Sequence, residues 1–81
     1  MVFTWRIVET VNAADLTHVH IEVADENGTL FVRTAVRVPL GSDLETVRAA
    51  AESGATLAIT EEQARRDAEA ALLGLTGSVT L

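Results

Sequence analysis

The sequence contains no cysteine, no lysine and no tyrosine, and only one proline in 81 residues. Without cysteine, neither a disulfide nor a thiolate metal site can form, so the fold must depend on its hydrophobic core. A chain of this length is near the lower limit for one such core, and we expect a single α+β domain over residues 1–81.

Long apolar runs are also missing. No stretch approaches the ~18 apolar residues of a membrane span, so no transmembrane segment is expected. Arg6 and Glu9 interrupt the N-terminal apolar run, which therefore does not read as a signal peptide. These absences predict a cytoplasmic location.

Positive charge is scarce. Twelve acidic residues stand against six basic ones, which gives a net charge of -6. Nucleic acid and anionic lipid would repel such a chain, so neither is an expected partner. The hydrophobic fraction of 48% is high for a small domain, and it favours a surface that is partly covered by another copy of the chain.

The first half of the chain alternates apolar and polar residues with the period of half-buried antiparallel strands, over residues 2–10, 17–25 and 29–38. Asn27-Gly28 predicts a two-residue type I′ turn, in which both residues need positive φ; a four-residue loop over 25–28 would keep the same faces together. Both turns give one register, with these pairs: Val23 and Val32, Ile21 and Thr34, Val19 and Val36, Glu22 and Arg33, His18 and Arg37.

Two capping boxes predict two helices in the second half. Ser42 with Glu45 would begin a helix over residues 43–53, with Gly54 as its C-terminal stop. Residues 55–59 are ambiguous between a short strand and an extended connector.

The second capping box begins at Thr60 and predicts a helix over residues 61–73 that ends at Gly74. Residues 75–81 alternate again, as in an edge strand or an arm that reaches a neighbouring subunit. The predicted fold is therefore α+β: a three- to four-stranded, mainly antiparallel sheet with two helices packed on one face.

His18, His20 and Glu22 form the one cluster with metal-ligand chemistry. Strand alternation places them on one face at steps of about 7 Å, and two histidines with a carboxylate can bind zinc or iron. Arg33 and Arg37 would lie beside them in the hairpin and oppose a cation. A solvent-exposed strand face is the favoured interpretation, with no metal and no cofactor.

Common catalytic signatures are absent. The sequence has no phosphate loop, no glycine-rich nucleotide turn and no zinc-binding helix motif. Carboxylates on the second predicted helix alternate with arginines, which favours an ion-paired surface over an acid–base site. We expect a protein without enzymatic activity and without catalytic residues.

Some apolar residues have no place in the predicted core. Two helices cover one face of a sheet, and Phe31 is predicted on the other face among charged residues. The C-terminal segment adds Leu75, Val79 and Leu81. These four residues are the predicted interface of a homo-oligomer, because a cluster of exposed apolar side chains often marks a contact with another protein.

The N-terminal run Phe3-Thr4-Trp5-Arg6-Ile7, the hairpin through Asn27-Gly28 and the helical second half together resemble small uncharacterised proteins from bacteriophage structural gene clusters. The resemblance implies a virion or assembly component that acts through copies of itself, located in the virion or the cytoplasm. Two alternatives stay open. One is a small acidic regulator or inhibitor of a host protein, and the other is a metal-dependent enzyme that uses the His18, His20 and Glu22 face.

Overall fold

A computed structural model describes residues 2–81. These residues form three antiparallel strands and one long helix. The strands are β1 (Thr4–Ala13), β2 (Leu16–Ala24) and β3 (Leu30–Pro39), paired in that order, and the helix α1 spans Leu44–Leu72. The mixed α+β class is confirmed. The prediction of two helices packed on the sheet is wrong, and the described residues contain no fourth strand.

The β2–β3 hairpin has the predicted register, including the pairs of Glu22 with Arg33 and of His18 with Arg37. Its turn is different. Asp25 accepts hydrogen bonds through Oδ1 from the backbone N–H of Asn27 at 2.9 Å and of Thr29 at 3.0 Å. Gly28 has a φ of +79°, whereas Asn27 is not in the positive-φ region. The predicted type I′ turn is therefore wrong, because it needs positive φ at both residues.

A β-bulge changes the face on which Phe31 lies. Ala24 pairs with Leu30 and Val23 with Val32, which leaves Phe31 as the extra residue of the bulge. Its ring lies 4.8 Å from that of Phe3, and the guanidinium of Arg66 in α1 lies 4.1 Å from its centroid. Phe31 therefore lies on the helix side of the sheet, and its predicted place on the opposite face is wrong.

A second bulge divides β1. Ile7 pairs with Ile21 and Glu9 with His20, so Val8 is the extra residue. Beyond the bulge, Asn12 pairs with Thr17, and the Thr17 hydroxyl donates to Asn12 Oδ1 at 2.7 Å. The first half of β1 thus contributes apolar residues to the helix side, and the second half contributes polar ones.

The core lies between β2, β3 and the middle of α1. Its buried members are Val19, Ile21, Val23, Val38, Ala51 and Ala55. Small helix residues at these positions allow the helix to approach the sheet closely.

Gly54 is an internal helix residue packed against β3. A Cβ built on it would collide with Cγ1 of Val36, and its backbone is not in the left-handed region. The prediction of Gly54 as a helix stop is therefore wrong, because its missing side chain serves the close approach of helix and strand.

The second predicted helix start also lies inside α1. The Thr60 hydroxyl donates to the carbonyl oxygen of Thr56 at 3.0 Å, and the Thr56 hydroxyl donates to that of Glu52 at 2.8 Å. Hydroxyls bonded in this way to the preceding turn fit within a helix, so the Thr60 capping box does not form. Residues 55–59 are helical, and the extended segment predicted there is wrong.

The ends of α1 are close to the predicted ones. Asp43 is the N-cap, since its carboxylate accepts from the backbone N–H of Thr46 at 2.8 Å. The predicted cap, Ser42, instead donates its hydroxyl to the carbonyl of Pro39 at 2.6 Å. At the other end, Gly74 follows the helix with a φ of +82°, as expected for a C-terminal stop.

The helix is longer than the sheet that it covers. Its 29 residues extend about 43 Å, whereas the 10 residues of β3 extend about 33 Å. Every residue after Glu62 is exposed. The radius of gyration is 17.6 Å, compared with about 12 Å for a compact chain of this length. Among residues 2–81, no helix is both long enough and apolar enough to cross a membrane.

Candidate functional site

The sheet face opposite the helix has a charged centre at Glu22. Its Oε1 accepts from Arg6 at 3.1 Å and its Oε2 from Arg33 at 3.0 Å. These hydrogen bonds, from Arg6 first and Arg33 second, lower the pKa of Glu22. Both oxygens of the Glu22 carboxylate therefore accept hydrogen bonds from arginines. Of the two, Arg33 is the partner that the sequence predicted.

His18 and His20 are half-buried on the same face. His18 pairs with Val11 and Arg37, and His20 with Glu9 and Ala35. Within residues 2–81, no three histidine or carboxylate side chains lie close enough together to hold a metal ion. The candidate metal face thus offers two imidazoles, but its carboxylate is occupied by arginines.

The other carboxylate cluster lies on α1. Glu62 accepts from Arg65 and from Arg66, the latter at 2.8 Å, and Arg65 also pairs with Glu69. The hydrogen bonds from Arg65 and Arg66 lower the pKa of Glu62 to about 2. Such a carboxylate stays ionised and paired near neutral pH, so it cannot serve as a proton donor there.

Three of the four predicted interface residues lie together. Leu75, Val79 and Leu81 are on the irregular segment after α1, and Leu75 is 70% exposed. We call residues 73–81 the tail. Phe31 lies apart from them, half-buried beneath Arg66.

A second apolar surface, which we call the β1 groove, lies between β1 and the first turn of α1. Its apolar lining consists of Trp5, Ile7, Leu44 and Val47, and the cavity has a volume of about 530 Å³. Ile7 is 40% exposed and Leu44 is 88% exposed. The groove therefore presents apolar side chains directly to solvent.

Leu44, Val47 and Ala51 have the helical spacing of a narrow apolar stripe at the start of α1. In the structure only Ala51 is buried, because α1 lies mainly over β3 and β2. Leu44 is thus exposed at the start of the helix, and Val47 is half-buried against the core.

The molecule exposes more surface than a compact chain does. Its accessible area is 6154 Å², compared with about 4,700 Å² expected for a folded monomer of its mass. The excess, about 1,400 Å², is larger than the ~800 Å² that each partner loses in a standard protein interface. The excess includes the end of α1 and the tail, because every residue after Glu62 is exposed.

No protein-family model, no curated protein and no solved structure is significantly similar to the chain. The resemblance to bacteriophage structural-cluster proteins therefore stays a prediction.

Proposed function

We propose that this chain is a non-enzymatic interaction protein that assembles with copies of itself. The observation that carries the proposal is the pair of exposed apolar surfaces, the β1 groove and the tail. A folded protein of this size rarely leaves so much apolar surface in water unless another protein covers it.

The energetics support self-association. Removing apolar area from water stabilises a complex by about 25 cal/mol per Å², so several covered leucine and valine side chains contribute several kcal/mol. The loss of translational and rotational freedom opposes this, at an estimated 4–15 kcal/mol. In a symmetric dimer, both copies bury their β1 groove and their tail. The apolar area removed from water can therefore outweigh the loss of freedom and give a measurable affinity.

The ion-paired carboxylates Glu22 and Glu62 support the part of the proposal that assigns no enzymatic activity. Glu22 and Glu62 each accept hydrogen bonds from two arginines. General acid–base work needs a group that can exchange a proton near the working pH, and such arginine-bound carboxylates do not.

Light scattering at high micromolar concentration tests the proposal. We expect a mass that is a multiple of 8.6 kDa for the full chain, and a lower mass after deletion of residues 75–81. A full chain that scatters as an 8.6 kDa monomer would overturn it and would leave the small acidic regulator of another protein as the better interpretation.

We propose further that this self-assembling protein is a component of a bacteriophage virion or acts in its assembly. This proposal rests on the resemblance of the N-terminal run and of the layout, and it is tested by the neighbouring genes. Head and tail genes beside this one would support it, and a neighbourhood of unrelated metabolic genes would count against it.

A further inference from the structure

We propose that the tail of one copy docks in the β1 groove of a second copy, so that two copies exchange their tails. This inference rests on the self-association proposed above and specifies its contact. It assigns the groove residues Trp5, Ile7, Leu44 and Val47 as the acceptor site and Leu75, Val79 and Leu81 as the inserted side chains.

The tail has the pattern of a strand with one apolar side. In an extended conformation, alternate residues share a face. Leu75, Val79 and Leu81 would then lie on one side, and Thr76, Ser78 and Thr80 on the other. A strand of this kind can cover an apolar groove with one side and face water with the other.

The edge of the sheet beside the groove is free to accept such a strand. Among residues 2–81, β1 pairs in the sheet with β2 alone, so its outer edge has no strand partner there. The bulge at Val8 divides β1 into residues 4–7 and residues 9–13, and the first of these two segments carries Trp5 and Ile7. Backbone pairing and side-chain docking would therefore occur at the same place.

The opposite edge of the sheet is a poorer acceptor. Arg66 donates a hydrogen bond to the carbonyl of Phe31 at 3.1 Å, at the bulged end of β3. Pro39, at the other end of β3, has no N–H to offer. The two ends of that edge are thus blocked, which favours β1.

Chain geometry favours docking between copies over docking within one. The rigid helix holds Leu44 and Leu72 about 42 Å apart, at 1.5 Å per residue. The nine residues 73–81 span at most about 32 Å when fully extended. The tail therefore cannot reach the Leu44 end of the groove in its own chain, and the overhanging helix carries it away from its own sheet.

Area and charge agree with this arrangement. The excess surface of about 1,400 Å² exceeds the ~800 Å² that a standard interface takes from each partner. The tail contains no charged residue, whereas the whole chain has a net charge of -6. A neutral segment is the part of an acidic protein that meets a second copy with the least repulsion.

Two double variants and a control test the contact. The tail variant combines Leu75→Ser with Val79→Ser, and the groove variant combines Ile7→Ser with Leu44→Ser. Each should weaken self-association about tenfold or more, because each removes two apolar side chains from the contact. The control, Leu57→Ser, changes an exposed leucine of α1 outside the groove and should leave the dissociation constant unchanged.

Mixing the two double variants shows whether the contact forms in trans. A groove-variant chain keeps an intact tail, and a tail-variant chain keeps an intact groove, so the mixture should regain mass that neither variant shows alone. Trp5 is the only tryptophan in the chain and lines the groove. Its emission should shift to shorter wavelength as the wild-type concentration rises, and this shift should be absent in the tail variant.

The outcomes separate the two proposals. A monomeric wild type would overturn the self-association itself. A wild-type multimer whose mass is kept in both double variants would leave self-association standing and overturn the tail–groove contact. A concentration-independent Trp5 emission that changes on deletion of the tail would show docking within one chain, which also overturns it. Thermal melts of each variant establish that it is folded.

Discussion

Gly28 holds a left-handed backbone conformation in the β2–β3 turn, with a φ of +79°. A side chain placed there would meet no neighbour within 4 Å, so any cost of substitution comes from the backbone alone. Gly28→Val should destabilise the fold by about 1–2 kcal/mol, because a residue with a Cβ resists this conformation. Chemical denaturation measures the loss.

The matched control for Gly28 is Gly77→Val. Gly77 also has open space around its Cα, but its backbone is not in the positive-φ region. Because Gly77 lies in the tail, both substitutions are compared in the tail variant, which lacks the apolar contact; there Gly77→Val should leave the free energy of unfolding within error of that background. Equal effects of the two substitutions would contradict a special role for the Gly28 backbone.

The small size of Gly54 is required by a close contact with β3 and not by its φ. Gly54→Ala gains about 0.5–1 kcal/mol of helix propensity but forces a methyl group into Val36, and overpacking typically costs about 1–3 kcal/mol. Val36 is β-branched and cannot easily rotate away. We expect a net loss of stability, seen as a lower denaturation midpoint.

The substitution Val36→Ala provides the test of this cause. It removes the atom with which the new methyl group collides, so the double variant should be more stable than the sum of the two single effects predicts. A Gly54→Ala protein as stable as wild type, or strict additivity in the double variant, would show that the close approach does not matter.

Side-chain alternation predicted the β2–β3 register correctly but neither of the two bulges. One extra residue at Phe31 and one at Val8 reverse the faces locally, and no residue in the sequence marks them as bulges. Gly54 was equally ambiguous. A glycine after an apolar stripe fits a helix stop and a close contact equally well, and only the neighbouring strand decides between them.

At the scale of the elements, α1 is continuous where two helices were predicted. Capping boxes are local patterns, and a threonine can satisfy its hydroxyl inside a helix as easily as at its start, as Thr60 does. Residues 55–59 are helical, because in this conformation Ala55 and Ala58 are buried against the sheet. Tertiary packing therefore overrode the local signals.

The overhanging part of α1 depends on ion pairs around Glu62. Its pKa of about 2 lies below the ordinary 4.5, so the ion pairs contribute their full stabilisation above about pH 4.5 and lose it as the pH falls towards 2. Glu62→Gln should lower the melting temperature at neutral pH. The difference from wild type should shrink between pH 4.5 and pH 2.

The control for this pH dependence is Glu61→Gln on the same helical turn. Within residues 2–81, Glu61 takes part in no ion pair. Its melting curve should follow wild type through the acid range. A Glu62→Gln difference that is constant across the same range would mean that the glutamate acts through packing and not through charge.

At the scale of the whole molecule, the sequence predicted an excess of apolar surface but only part of its location. The tail was visible as an alternating segment with nothing to cover it. The β1 groove was not, because its position depends on where α1 lies over the sheet and on how far the helix extends. The position of a helix on a sheet depends on the packed structure, and here α1 approaches β3 closely where Gly54 meets Val36.

The net charge of -6 per copy makes the salt dependence of assembly a test of how copies meet. Two acidic molecules repel, and raising the ionic strength from about 0.01 M to about 0.15 M shortens the screening length from about 30 Å to about 8 Å. The tail has no charged side chain, so screening does not weaken its apolar contact with the groove. Self-association should therefore strengthen with added salt, measured as a falling dissociation constant in sedimentation experiments.

A dissociation constant that rises with added salt would identify a different kind of contact. An interface built on ion pairs, such as an acidic regulator bound to a basic partner, weakens as salt screens the attraction. The tail variant serves as the reference, because it keeps every charge and lacks the apolar contact; it should show weak association at all salt concentrations. A wild-type assembly that dissociates as salt is added would exclude an apolar tail contact as its main source of affinity.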